Sequence, residues 1–191
     1  MNDDQAMKFY SEATATDPFP GVFNWQNPDG PGSVDTGSDG TDACKAASRD
    51  RYISSYQHAL SFTTALAALE KGPVISGINW YKGMFTPDEN GLVTIAPGDT
   101  IAGGHEMCFD EIIVAKQLVG FQQSWGNWGV QGRGYMSWDT WGRLLSENGD
   151  VNVPQPLNVT KPPPAPVPAV DPDALAAYQA LKRWAARNGV L

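Results

Sequence analysis

The chain has 191 residues, long enough for one domain with a packed core. Hydrophobic residues make up 41 % and aromatics 10 %, which excludes a disordered chain. The formal net charge of -8 excludes a sequence-independent grip on nucleic acid and disfavours anionic membranes.

No apolar run approaches the length of a membrane-crossing helix, and no basic-then-apolar leader opens the chain. The two cysteines, Cys44 and Cys108, are too few for a disulfide framework or a metal set. They read as ordinary buried thiols, and no cofactor is expected.

Asn2–Thr14 reads as a helix, with Asn2 or Asp3 as cap and Ala6, Phe9, Tyr10 and Ala13 on one face. Asp17–Gly40 is loop, because its many Pro and Gly residues rule out a regular element. A second helix follows to about Arg49, capped by Thr41 or Asp42. Tyr52–Ala59 alternates weakly, as a strand can. Ser61–Lys71 is a helix that Ser61 caps and Gly72-Pro73 stops. Val74–Tyr81 is rich in β-branched and aromatic residues, which predicts a buried strand. Phe85–Val93, with Pro87 and Asn90-Gly91, reads as a hairpin turn.

Gly104–Val114, Gln117–Gln123 and Gly134–Trp138 predict three further strands of an antiparallel sheet, since their connections are too short for crossovers. Asp139–Glu147 is a helix ended by Asn148-Gly149. Three segments are therefore expected: a domain over 1–152, a Pro-rich linker over 153–170 and an amphipathic helix over 171–191. Leu175, Tyr178, Leu181, Trp184 and Ala185 form the apolar stripe of that last helix. It is expected either to dock on another surface or to fold back on its own domain.

One stretch carries chemistry. Gly103-Gly104-His105-Glu106-Met107 holds one of two histidines, and Gln123-Ser124-Trp125-Gly126-Asn127-Trp128-Gly129 follows after a short apolar run. The spacing lets two neighbouring strands meet side by side. These pieces resemble the carboxyl-terminal half of the papain-like cysteine peptidases. So do Gly72-Pro73-Val74 with Asn79-Trp80-Tyr81-Lys82-Gly83-Met84-Phe85, and Gly132-Arg133-Gly134-Tyr135-Met136, in the family's order. The likeness spans roughly Asp35 to Leu145. Met136-Ser137-Trp138-Asp139-Thr140-Trp141 and the Pro-rich tail look most like versions carried by viruses of actinobacteria. The resemblance implies an α+β fold: a papain-like antiparallel half-barrel sheet with short helices and a truncated amino-terminal lobe. A virion or bacterial host cytoplasm is the implied location.

A cysteine nucleophile needs a base to become thiolate, and that base needs a partner to fix its tautomer. By resemblance His105 is the base, and Gln123 stands where the family has its orienting Asn. Trp125 covers their contact, with Trp128 supporting it or simply packing in the core. Gly104 and the Gly37–Gly40 loop match places where the family's backbone pairs with an extended substrate peptide, although the loop also reads as an ordinary turn. His58 reads as a structural histidine.

Two departures stand out. Gln123 is one methylene longer than Asn, so it has a further torsion to freeze. The family's Cys also precedes its His by about 130 residues, and counting back from His105 reaches a point before Met1. Cys44 falls where the family has a second, non-catalytic helix, and Cys108 faces the opposite side of the sheet from His105. The expectation is a homologue without its nucleophile. Either a second chain is expected to supply the cysteine helix, or the domain binds a peptide or protein partner without catalysis. Nucleophilic Cys44 is the remaining alternative.

Overall fold

The computed structural model describes residues 3–157, and the described chain forms two compact units. The expected carboxyl-terminal helix and all but the first residues of the expected linker lie outside the described residues.

The first unit holds the amino-terminal helices. Helix α1 (Asp3–Thr14) carries Asp3 and Asp4 in its first turn, where carboxylates favour the helix dipole. Helix α2 (Gly40–Arg49) is capped by Asp39, whose carboxylate accepts from the Asp42 N–H at 2.8 Å. The expected cap, Thr41 or Asp42, therefore lies two or three residues too late. Asp42 instead lies buried and pairs with Lys45 at 2.8 Å. The two helices are joined by Arg49 to Glu12 at 2.9 Å. Strand β1 (Ser55–His58) pairs antiparallel with residues of β6 (Asp150–Gln155), from Ser55 opposite Gln155 to His58 opposite Asn152. The change of composition at Val153 thus does not end ordered structure. Pro154 sits in the last strand, which sequence reading missed because two prolines flank Gln155 and mask the pattern.

The second unit is helix α3 (Phe62–Leu69), the strands β2 (Val74–Tyr81), β3 (Ile101–Ile113), β4 (Leu118–Gln122) and β5 (Arg133–Ser137), and helices α4 (Trp128–Gln131) and α5 (Trp138–Ser146). Helix α3 begins with a reciprocal cap between Ser61 and Thr64. The four strands form an antiparallel ladder in the order β2, β3, β4, β5. At β5 the ladder is open rather than part of a barrel: among the described residues it meets isolated bridges beyond β4, a parallel one from Leu92 to Tyr135 and an antiparallel one from Val130 to Arg133. The expected hairpin at Phe85–Val93 is a tight turn without paired strands. Asp88 holds it, its carboxylate accepting from Asn90 and Leu92 at 2.8 Å each.

Alternation along β2 and β3 puts Val74, Ser76, Ile78, Trp80, Met107 and Phe109 on the core face. Helix α5 closes this face. Trp141 is fully buried, stacks on Phe109 at 4.7 Å and donates to Ser76 Oγ at 3.2 Å. That bond answers the indole N–H, which would otherwise be desolvated without a partner.

Candidate functional site

The ladder between β3 and β4 starts at Cys108 opposite Gln122. Residues 101–107 of β3 therefore run past the end of β4, held by β2 on one edge alone among the described residues. His105 lies in this overhang, opposite Ile78, and points to the same face as Met107 and Phe109. Gln123 immediately follows β4, and its backbone N–H is anchored on Gly132 O at 3.2 Å. The end of one strand thus delivers a carboxamide to the overhang of its neighbour. Gln123 Oε1 lies 2.8 Å from His105 Nε2.

That contact has a chemical direction. With the Gln123 oxygen facing the ring, as it does here, His105 Nε2 carries the hydrogen and Nδ1 keeps its lone pair in the neutral ring. Burial pushes the His105 pKa below its ordinary value, and the Gln123 bond partly opposes this. The ring is therefore held in the neutral, proton-accepting form.

The segment 124–132, whose α4 turn departs from helical geometry at Gly129 and Val130, folds its indoles back over the histidine. Trp125 stacks on the imidazole at 4.4 Å and 22°, and on Phe85 at 5.3 Å and 17°. Trp80 meets the same imidazole edge-on at 5.2 Å. Trp128 lies 5.9 Å from both Trp80 and Trp125, and its indole N–H donates to Phe85 O at 2.8 Å. Gly132 makes the return possible: it has φ +84°, and a Cβ there would meet Gly126 O at 2.9 Å.

Of the residues singled out from sequence, His105, Gln123, Trp125 and Trp128 come together in one cluster. Gly104 lies next to His105 on exposed backbone opposite Asn79, and a Cβ there would meet nothing within 4 Å. Among the described residues no atom requires a glycine at that place. Gly37 and Gly40 belong to the other unit. Gly37 has φ +87° and donates its N–H to Asp35 at 3.2 Å, while Gly40 is buried as the first residue of α2. Two members of the enclosure, Trp80 and Phe85, were not read as site residues. Trp80 shares a face with Ile78, the register partner of His105, and that register is not visible in the sequence.

Neither thiol belongs to the cluster around the ring. Cys108 is three residues from His105 on β3 and points to the opposite face. Although its surface is exposed, its pKa is raised, first by desolvation from the protein atoms packed around the sulfur and then by Asp110, which disfavours the thiolate. Cys44 is fully buried on α2 in the other unit, so the expected pair of buried thiols holds for Cys44, whereas Cys108 is exposed. Among the described residues no group of three or more His, Cys, Asp or Glu could hold a metal ion. No described helix is long and apolar enough to cross a membrane.

No protein-family model matches the chain, and no curated protein matches it. Solved structures do. Xylellain, a cysteine protease from Xylella fastidiosa, superposes with a TM-score of 0.53 at 16 % identity, covering 80 % of this chain and 69 % of that one. The fold is papain-like. The bromelain protease of Ananas comosus, solved with the E64 inhibitor, gives a TM-score of 0.42 at 14 % identity over 81 % of this chain and 69 % of that one. The Carica candamarcensis cysteine protease CMS1MS2, with E-64, gives 0.42 at 13 % over 79 % and 66 %. At such identities the likeness concerns the fold.

Proposed function

We propose that these residues are the histidine-bearing part of a papain-like cysteine peptidase, silent alone and completed by a cysteine from outside these 191 residues. The observation that carries the reading is the neutral His105 ring. It donates from Nε2 to Gln123 at 2.8 Å, lies under Trp125, and leaves Nδ1 as a base. A base so prepared serves a nucleophile. Neither thiol of this chain fits that part: Cys108 faces away and holds its proton, and Cys44 is buried on α2 in the other unit. The reaction of the complete site is peptide or isopeptide hydrolysis through a thioester, with His105 Nδ1 taking the thiol proton and returning it to the leaving amine. The run Met136–Trp141 supports a viral setting.

A second reading is a non-catalytic module that binds a protein partner, as in a virion. It is favoured by the exposed aromatic face beside His105, where Phe85 and Trp125 are 48 % and 37 % exposed. The Pro-rich tail also favours it, as a tether.

A thiol-reactive peptide probe separates the two. Under the first reading the chain alone is not labelled, and mixing it with the product of the adjacent upstream reading frame gives labelling on that partner's cysteine. His105→Ala abolishes the labelling. Silence with every neighbouring gene product sinks the first reading. Labelling of Cys44 in the isolated chain sinks both.

A further inference from the structure

The imidazole of His105 is held in two different ways. Its plane is fixed by aromatic contacts, Trp125 on one face at 4.4 Å and Trp80 edge-on at 5.2 Å. Neither contact distinguishes Nδ1–H from Nε2–H. Among the described residues the tautomer depends on Gln123, through its bond to Nε2.

A carboxamide is nearly symmetric in shape, so its orientation is set by the hydrogen bonds at its two ends. At Gln123 only the oxygen end is engaged. The Nε2 end is enclosed from solvent and has no hydrogen-bond partner among the described residues. Turning the carboxamide by half a circle brings Nε2 to the ring and leaves the oxygen unmatched. Each orientation therefore buries one amide end without a partner, and the two are close in energy. The ring must respond. Facing the amide oxygen it keeps its hydrogen on Nε2 and a lone pair on Nδ1. Facing the amide nitrogen it must present a lone pair at Nε2, and its hydrogen moves to Nδ1. One proton leaves Nε2 to solvent and one is taken up at Nδ1, with no change in net charge.

We propose that Gln123 is a positioning residue that turns between these two orientations in the isolated chain, so that His105 has a base at Nδ1 for only part of the time. The proposal rests on the reading of His105 as a base. It adds a condition for activation: docking must shift the atoms that enclose the Gln123 N–H groups, so that an acceptor such as a backbone carbonyl of the completing segment reaches them and fixes the oxygen toward the ring. Docking of the partner and preparation of the base then become one event.

The test is long-range proton–nitrogen NMR of the full chain labelled with nitrogen-15, above the imidazole pKa found by titration. His58, the other histidine, is identified with His58→Gln. In the unaltered chain both ring nitrogens of His105 are expected at intermediate shifts, with the two tautomers within about tenfold of each other. Gln123→Glu offers oxygen at both positions and a stronger, charge-assisted bond. In that variant the ring is expected to move to the Nε2–H form by at least about tenfold. A single pure tautomer in the unaltered chain overturns the proposal, and so do intermediate shifts that Gln123→Glu leaves unchanged. If Gln123→Glu does not fold, Gln123→Asp reads the same locking with a shorter arm, and the spectrum of the unaltered chain still decides. The readout involves no catalysis, so failure of the probe assay sinks the proposed function without touching this result.

Discussion

Removing the indole of Trp125 tests whether stacking is what keeps His105 neutral. The side chain lies between the imidazole at 4.4 Å and Phe85 at 5.3 Å, with the residue 37 % exposed. The covered part is then roughly 150 Å² of a tryptophan's surface. At about 25 cal/mol per Å² this is worth about 4 kcal/mol, an upper bound because the unfolded chain is itself partly compact. Water enters a surface site readily, so Trp125→Ala is expected to cost about 2 kcal/mol, read as a lower urea midpoint with unchanged slope. The same change uncovers the imidazole. Burial is the larger cause of its lowered pKa and the Gln123 bond opposes it, so the pKa is expected to rise toward its ordinary value. Titration of the ring proton signals by NMR reads this directly. A folded Trp125→Ala variant with an unmoved His105 pKa refutes the reasoning, because the desolvation would then come from elsewhere.

The lowered pKa of His105 also fixes a sign for stability. Between the folded value and about 6.5 the unfolded chain binds more protons, so stability rises with pH there. The contribution is complete above the unfolded pKa and is lost as pH falls through the folded one. Urea denaturation at a series of pH values should show this acid loss, reduced in His105→Gln, and an identical slope in both chains contradicts it. Gly134 makes a steric prediction: a Cβ there would meet Phe121 Cζ at 2.4 Å and Trp128 Cζ3 at 2.7 Å. Phe121 is fully buried and cannot yield, so Gly134→Ala is expected to lower stability by about 1–3 kcal/mol in thermal or urea unfolding. A neutral Gly134→Ala shows that the two rings have room to shift.

Local chemistry made much of this protein legible in its sequence. Val74–Tyr81 reads as a strand because its alternate residues face the core, and the expected and observed ends coincide. Ser61 announces a helix because its hydroxyl answers the N–H of Thr64. The Gly-His and Gln-Ser-Trp segments announce a pair of adjacent strands, because an imidazole and a carboxamide at those places meet only if two strands lie side by side. What remained hidden depended on distant partners. Strand β6 exists because β1 pairs with it across nearly a hundred residues, while its own prolines argue against a strand. The cap of α2 turned on which of several nearby oxygens reaches an N–H, a matter of φ and ψ rather than residue type.

The sequence by itself determined which residue types the site has: a histidine, a carboxamide and indoles in a fixed order. Only the tertiary structure decided that β4 stops short of β3, and this overhang is what lets Gln123 reach the Nε2 side of the ring. Only the register of β2 against β3 decided that Trp80 closes on the same imidazole. The physical reason is that composition and periodicity record what each residue prefers to face. Which atom it faces is set by strand register and chain reversal, and those are properties of the whole ladder.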